Sequence, residues 1–419
     1  MAEPTNSSSK KNIVILGGSY GGVSTAHYLL KHVLPGLPNQ DEYQVVLVSP
    51  SVQVMCRPAC PRALISDDMF PQDKLFVDIL TAFKSYTNDT FQFLQGTVTA
   101  LDHVNRIIKV NLTSNKGTKT LGYYAIVIAT GASTPSPLLG LNRDSEHLRQ
   151  SWAEFRKALP NARSIVIAGG GPAGVETAGE LGEYLNSRAS WFKSTLENPK
   201  VAITLVTAAS EILPALRPAI ARKAEAYLAR VGVTVLKGFR IENVHPAVAG
   251  VDEVAAKATI TLGNGNTLDA DLYIPATGTR PNTVFIDSSL LLSDGRVNTD
   301  PSTLRVDKAG SRAYAIGDAS SFARPAIHNT LSAIPVLCSN IKRDLLLASE
   351  NPDLAEGQDR LFVEDIRETQ LVPVGKSKGV GAAMGYQLPS FMVWMIKGRD
   401  YWLWTTGNLW SGKQWAKES

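Results

Sequence analysis

Two of the chain's three cysteines, Cys56 and Cys60, stand four residues apart in the stretch VMCRPACPRA. Thiols at that spacing could form a redox disulfide, because Cα atoms one helical turn apart lie about 6 Å from each other. One of them could also act alone as a thiolate, with Arg57 and Arg62 lowering its pKa. Thiol exchange also needs a base to deprotonate the exchanging thiol. Pro58 and Pro61 point to a turn or helix start rather than a regular helix. The competing reading, which the sequence favours, is two small apolar side chains packed in a loop.

The elements around this stretch form a repeat. NIVILGGSYGGVSTAHYLL (12–30) and SIVIAGGGPAGVETAGELGEYL (164–185) each read as a buried parallel strand, a glycine turn and an amphipathic helix. In such a turn the first glycine permits the bend and the second lets backbone approach a pyrophosphate. The third lets the helix pack on the strand, whose helix N-terminus faces the phosphates. The second copy is complete, with Gly169, Gly171 and Gly174; the first has Gly17 and Gly22, with Gly18 beside Ser19 in the middle position. One such motif is weak evidence, but two copies opening β-α-β patterns predict two dinucleotide sites.

Each copy leads to a second strand, YQVVLVSP (43–50) and VAITLVTA (201–208). An acidic residue at that strand end usually grips the ribose hydroxyls. Ser49 and Thr207 stand there instead, so the second site admits NADPH as well as NADH. Two further apolar strands end in Ala-Thr-Gly, one at Thr130-Gly131 and one at Thr277-Gly278, and a third ends in Gly317-Asp318. A carboxylate at Asp318 can accept hydrogen bonds from a polyol.

The order of these signals resembles the two-dinucleotide-binding-domain flavoproteins, over about residues 11–405. Within them the chain looks most like the AIF-like AMID group, which includes the ferroptosis suppressor protein, with type II NADH dehydrogenases as neighbours. GGSYGG, GGGPAGVETAGE, the stretch 211–236, SDGRVNTDPSTLRVDKAGSRAYAIGDAS, VGKSKGVGAAMG and FMVWMIKGRDYW carry the likeness. The resemblance implies an α/β fold of two interleaved Rossmann-like domains. FAD would sit on residues 1–150 and 281–345, NAD(P)H on 151–280, and residues 346–419 would cap the flavin. It implies an NAD(P)H:quinone oxidoreductase in which hydride passes through flavin to a quinone-type acceptor.

On that basis Gly17, Gly18, Ser19 and Gly22 would line the FAD pyrophosphate, with Arg57 and Arg62 neutralising it. Thr130 and Gly131 would close over the FAD and Asp318 would hold its ribityl chain. Asn329, Thr330 and Leu331 would begin a helix aimed at the flavin ring. Glu176, opening the helix of the second loop, would pin the nicotinamide or relay a proton, and Lys397 would act electrostatically beside the flavin. Glu180 reads as structural. Related disulfide reductases space their cysteines one residue further apart than here.

A chain of 419 residues with 44% hydrophobic content has room for two or three cored domains. Its +4 charge argues against a dedicated nucleic-acid binder, no metal site is expected, and three cysteines fit a reducing compartment. The polar first ten residues read as a disordered tail without a secretory signal, and Ala2 excludes N-myristoylation. The expectation is a cytoplasmic protein, either free or peripheral on an organelle or lipid-droplet membrane. Trp394, Trp402, Trp404, Trp410 and Trp415 stand among lysines near the C-terminus, which suits a membrane interface, a core or a homodimer face. Three alternatives stand beside the main reading: a tailoring oxidoreductase on a quinone-like metabolite, a thiol reductase using Cys56 and Cys60, and a non-catalytic flavin sensor or cell-death effector.

Overall fold

The computed structural model describes residues 10–113 and 117–418; the expected N-terminal tail lies almost wholly outside them. The apolar run before the first glycine loop forms strand β1 (Lys11–Leu16), and helix α1 (Tyr20–Tyr28) follows at once. Strand β2 (Tyr43–Ser49) lies parallel to β1, and the long β3 (Phe91–Asp102) lies parallel to β2. Strands β4 (Ile107–Leu112) and β5 (Thr118–Gly122) extend this edge antiparallel, and β6 (Ala125–Ile128) returns to the other side of β1. Ile13 to Leu16 and all of β6 are buried, as strands covered on both faces must be.

The second glycine loop repeats the plan. Strand β7 (Ser164–Ala168) leads into helix α2 (Pro172–Asn186), and β8 (Ala202–Thr207), helix α3 (Pro218–Ala229) and β9 (Val233–Lys237) follow. A three-stranded antiparallel sheet, β10 (Ile241–His245), β11 (Ala258–Leu262) and β12 (Thr267–Ala270), packs beside them. Strand β13 (Leu272–Pro275) then completes the parallel order β9-β8-β7-β13.

The chain next returns to the first sheet. Strand β14 (Ala313–Ala315) joins β6 in parallel, which makes a seven-stranded sheet of order β14-β6-β1-β2-β3-β4-β5. Helix α4 (Ile327–Leu347) starts two residues before the expected Asn329 and packs with α1 on that sheet. The C-terminal part forms the small antiparallel sheet β15 (Gln370–Val374), β16 (Lys378–Ala383) and β17 (Tyr386–Gln387), followed by helical turns. It comes so close to α2 that a Cβ on Gly179 would stand 2.9 Å from the Val374 Cα. The architecture is α/β, with two Rossmann-like units. Among the described residues no helix is long and apolar enough to cross a membrane.

Candidate active site

The carboxyl ends of both parallel sheets open into one cavity of about 1340 Å³. A pocket for one drug-sized ligand has roughly 300–1,000 Å³. Gly17, Gly18, Ser19, Ser49, Thr130, Gly131 and Asp318 line it from the first sheet, and Gly169, Gly171, Thr207 and Gly278 from the second.

The two loops are built alike. Gly17 and Gly169 have φ near +115° (116° and 114°), and a Cβ on either would stand 2.2 Å from a neighbouring carbonyl oxygen. Their N–H groups donate to Val48 O and Val206 O at 2.8 and 2.7 Å, which ties each turn to the adjoining strand. Ser19 and Gly171 are the N-caps of α1 and α2, and neither helix start has a side-chain cap. Free N–H donors and the positive helix end therefore face the cavity, and around Gly171 the space is open. That arrangement fits a pyrophosphate at each loop. Gly22 does not line the cavity, contrary to its assignment to the FAD pyrophosphate, and neither does Gly174, the third glycine of the second dinucleotide motif. A Cβ there would stand 1.8 and 1.9 Å from the carbonyl oxygens of Gly17 and Gly169, so both are helix-on-strand packing positions.

At the Thr130-Gly131 turn the Thr130 hydroxyl donates to Asn282 O at 2.8 Å, and the Asn282 amide donates back to Thr130 O at 2.9 Å. Asp318 lies 3.6 Å from the Arg57 guanidinium, and both are partly exposed to the cavity. Leu331 lines the cavity beside Ile327 and Thr330 at the start of α4.

Between the two loops stands a buried ion pair. The Lys397 Nζ donates to Glu176 Oε1 at 2.5 Å and to Leu371 O at 3.0 Å, and both side chains line the cavity. Glu176 does not open α2 as expected. It is the fifth residue of the helix, one turn in, where side chains turn toward the C-terminal segment. Burial raises its pKa to about 7; Lys397 opposes that rise, and nearby Glu180 adds to it. A carboxyl with that value can hold or release a proton near neutrality. The lysine ammonium stands 5.0 Å from the centre of the Trp402 ring, a cation–π contact at the cavity wall.

Arg62 is a correction. It does not reach the cavity. Its Nε and Nη2 donate to the two Glu180 oxygens at 2.9 and 2.8 Å, and the Tyr401 hydroxyl donates to Glu180 Oε1 at 2.9 Å. Arg62 also donates to the carbonyls of Arg399 and Gly375. The sequence placed it beside Arg57, but the turn Cys60–Ala63 points it the other way, into α2.

Cys56 and Cys60 are free, buried thiols on a 3₁₀ turn and a single α turn. The Cys56 Sγ donates to Tyr401 O at 3.4 Å and accepts from the Tyr20 hydroxyl at 3.6 Å. Burial pushes the Cys56 thiol up to about 11 and raises Cys60 further, so Arg57 does not activate either. The tryptophans divide. Trp410 and Trp415 are buried, Trp402 lines the cavity, and Trp394 and Trp404 are exposed near Phe391 and Met395 in sequence. Among the described residues no cluster of metal-ligating side chains occurs.

Residues 11–335 match the pyridine nucleotide-disulphide oxidoreductase family. The chain belongs to that family. Oxidoreductase phnG from Penicillium herquei is 66% identical over 98% of each chain. The human ferroptosis suppressor protein 1 is 25% identical over 93% of each. Among solved structures, NDH2 from Plasmodium falciparum in complex with NADH covers 98% of this chain and 99% of its own, with TM-score 0.65 and 15% identity. The family is one of pyridine nucleotide-dependent oxidoreductases, and two glycine loops of dinucleotide-binding form agree with it.

Proposed function

We propose that this chain is an FAD-dependent NAD(P)H oxidoreductase that delivers electrons to a quinone-type acceptor. FAD belongs to the first glycine loop and the unit of residues 1–150 and 281–345; NAD(P)H belongs to the second loop and residues 151–280; residues 346–419 cover the flavin. The observation that carries the reading is the buried Glu176–Lys397 pair, set in one cavity between the two loops. When bound there, nicotinamide and flavin supply two-electron hydride transfer.

The side chains have separate tasks. Gly17, Gly18, Gly169 and Gly171 give backbone access to the phosphates, and Arg57 offsets their charge. Asp318 accepts from a polyol hydroxyl. Lys397 places a cation where negative charge develops. Glu176 gives a proton to the reduced acceptor, because quinone reduction consumes protons and this carboxyl keeps one near pH 7. The exposed Phe391, Trp394, Met395 and Trp404 support a peripheral membrane contact for acceptors held in lipid. A second reading gives the same site a quinone-like metabolite as acceptor. The 66% relative favours it, since that protein is named simply an oxidoreductase, whereas the ferroptosis suppressor stands at 25%.

The test is an anaerobic NADPH titration of the yellow protein, followed by reoxidation. About one equivalent should reduce the flavin fully, and a short-chain quinone should reoxidise it while glutathione disulfide does not. A requirement for two equivalents, with a long-wavelength thiolate–flavin band midway, would assign the electrons to Cys56 and Cys60 and overturn the proposal.

A further inference from the structure

We infer that Arg240 is the ligand of an adenosine 2′-phosphate, so that the second glycine loop is built to take NADPH. The inference deepens the assignment of NAD(P)H to that loop and rests on it. The strand end that usually carries an acidic residue against the ribose carries Thr207 here, followed by Ala208 and Ala209. A carboxylate there would repel a 2′-phosphate; a threonine does not. The Ala209 N–H donates to the Thr207 hydroxyl at 3.3 Å, so that hydroxyl keeps its own hydrogen for a ribose or phosphate oxygen.

A cation reaches this end from a different strand. Beyond β9, Gly238 N–H donates to Ala209 O and Phe239 N–H donates to Thr207 O, each at 3.0 Å. These bonds pin Phe239 and Arg240 alongside Thr207 to Ala209, and all five residues line the cavity. Arg240 is exposed at the rim, and its guanidinium takes part in no side-chain hydrogen bond or ion pair among the described residues. Its neighbour in sequence, Lys237, is differently placed: Glu211 and Glu225 hold it at 3.2 and 3.0 Å. Among the described residues, the carboxylates lining the cavity are Glu176 and Asp318. Glu176 is paired with Lys397, and Asp318 belongs to the other sheet's end. Among the described residues no carboxylate therefore lines the cavity beside Thr207, and a planar cation with a fork of donors and no side-chain partner stands there. That is the donor set a phosphate monoester takes. Phe239 lines the cavity next to it and gives the base an apolar neighbour.

The measurement is a calorimetric comparison of adenosine 2′,5′-bisphosphate with adenosine 5′-monophosphate, on the flavin-loaded protein and on Arg240→Ala and Arg240→Lys. The 2′-phosphate should tighten binding by about tenfold or more in the unmodified protein, as expected for a charge-assisted contact at an exposed rim. Arg240→Ala should bring that ratio to about one, and Arg240→Lys should keep part of it. An unmodified ratio near one, a ratio that survives in Arg240→Ala, or no binding of either nucleotide would overturn the inference. Acceptor reduction is read separately. If no quinone is reduced but the ratio behaves as stated, the acceptor assignment fails while Arg240 keeps its role.

Discussion

At the scale of single residues the decisive pair is Glu176 with Lys397, separated by 221 positions in the chain. The carboxyl titrates near pH 7 because burial costs the charged form more than the ammonium returns. As a proton donor it must be protonated, so quinone reduction should fall as pH rises through about 7. Glu176→Gln should abolish that limb and slow the acceptor half-reaction by about 10²–10⁴-fold, with NADPH binding little changed. Stopped-flow traces of the two half-reactions against pH check this; a limb that persists in the variant would remove Glu176 from proton delivery. The linkage has a definite sign. The folded carboxyl holds its proton more tightly than the usual 4.5, so Glu176 opposes folding fully above about pH 7. That penalty fades as pH falls toward 4.5. The sequence marked both residues through their motifs but could not pair them. Nothing local in GVETAGE or MIKGRD indicates that β15 and its helical turns bring the lysine onto α2.

At the scale of elements the glycine loops were the most legible part, because backbone chemistry fixes them. Gly169 needs its left-handed φ, and Gly174 needs its missing Cβ. One point is blurred: the motif gives its third glycine to packing, yet Gly22 was also placed against the FAD pyrophosphate, whereas Gly22 and Gly174 alike sit where only helix-on-strand packing needs them. The two roles separate by mutation. Gly174→Ala forces a methyl to 1.9 Å from the Gly169 carbonyl oxygen and should destabilise the protein by more than about 2 kcal/mol, read from denaturant unfolding. Gly171→Ala meets nothing within 4 Å and sits at φ −76°, so the protein should fold with stability changed by less than about 1 kcal/mol. Its methyl projects toward the cavity, where it should raise the NADPH KM at least about tenfold while flavin content stays the same. Equal stability losses in the two variants would mean that the loop's glycines share one structural role. The missed helix start at Ile327 has a comparable cause. The β-region Ala326 sets the cap there, and no Ser, Thr or Asp marks it in the sequence.

At the scale of the molecule Arg62 couples three stretches far apart in the chain. Its guanidinium joins the cysteine loop to Glu180 on α2 and to the carbonyls of Gly375 and Arg399 in the C-terminal segment, while Tyr401 of that segment shares Glu180. This is what VMCRPACPRA does: the cysteines pack, and the arginine fastens the segment that bears Lys397. The sequence assigned Arg62 to phosphate because it stands just past the second strand, which is local information, whereas a carboxylate 118 positions away is not. Both partners are almost fully buried, so truncating one leaves an uncompensated charge inside the protein. Arg62→Ala should therefore lower the unfolding free energy by about 3–5 kcal/mol. Removing Glu180 as well should cost less than the sum of the two single losses, since neither charge is then stranded. The loosening should start where the clamp is released. Limited proteolysis of Arg62→Ala should cut within residues 370–402 before either sheet, and Lys397 should lose its place beside Glu176, which shifts the pH limb of quinone reduction. Strict additivity in the double-mutant cycle, or cleavage no faster than in the unmodified protein, would show that the C-terminal segment is held by its own packing on α2, where Val374 meets Gly179, rather than by Arg62.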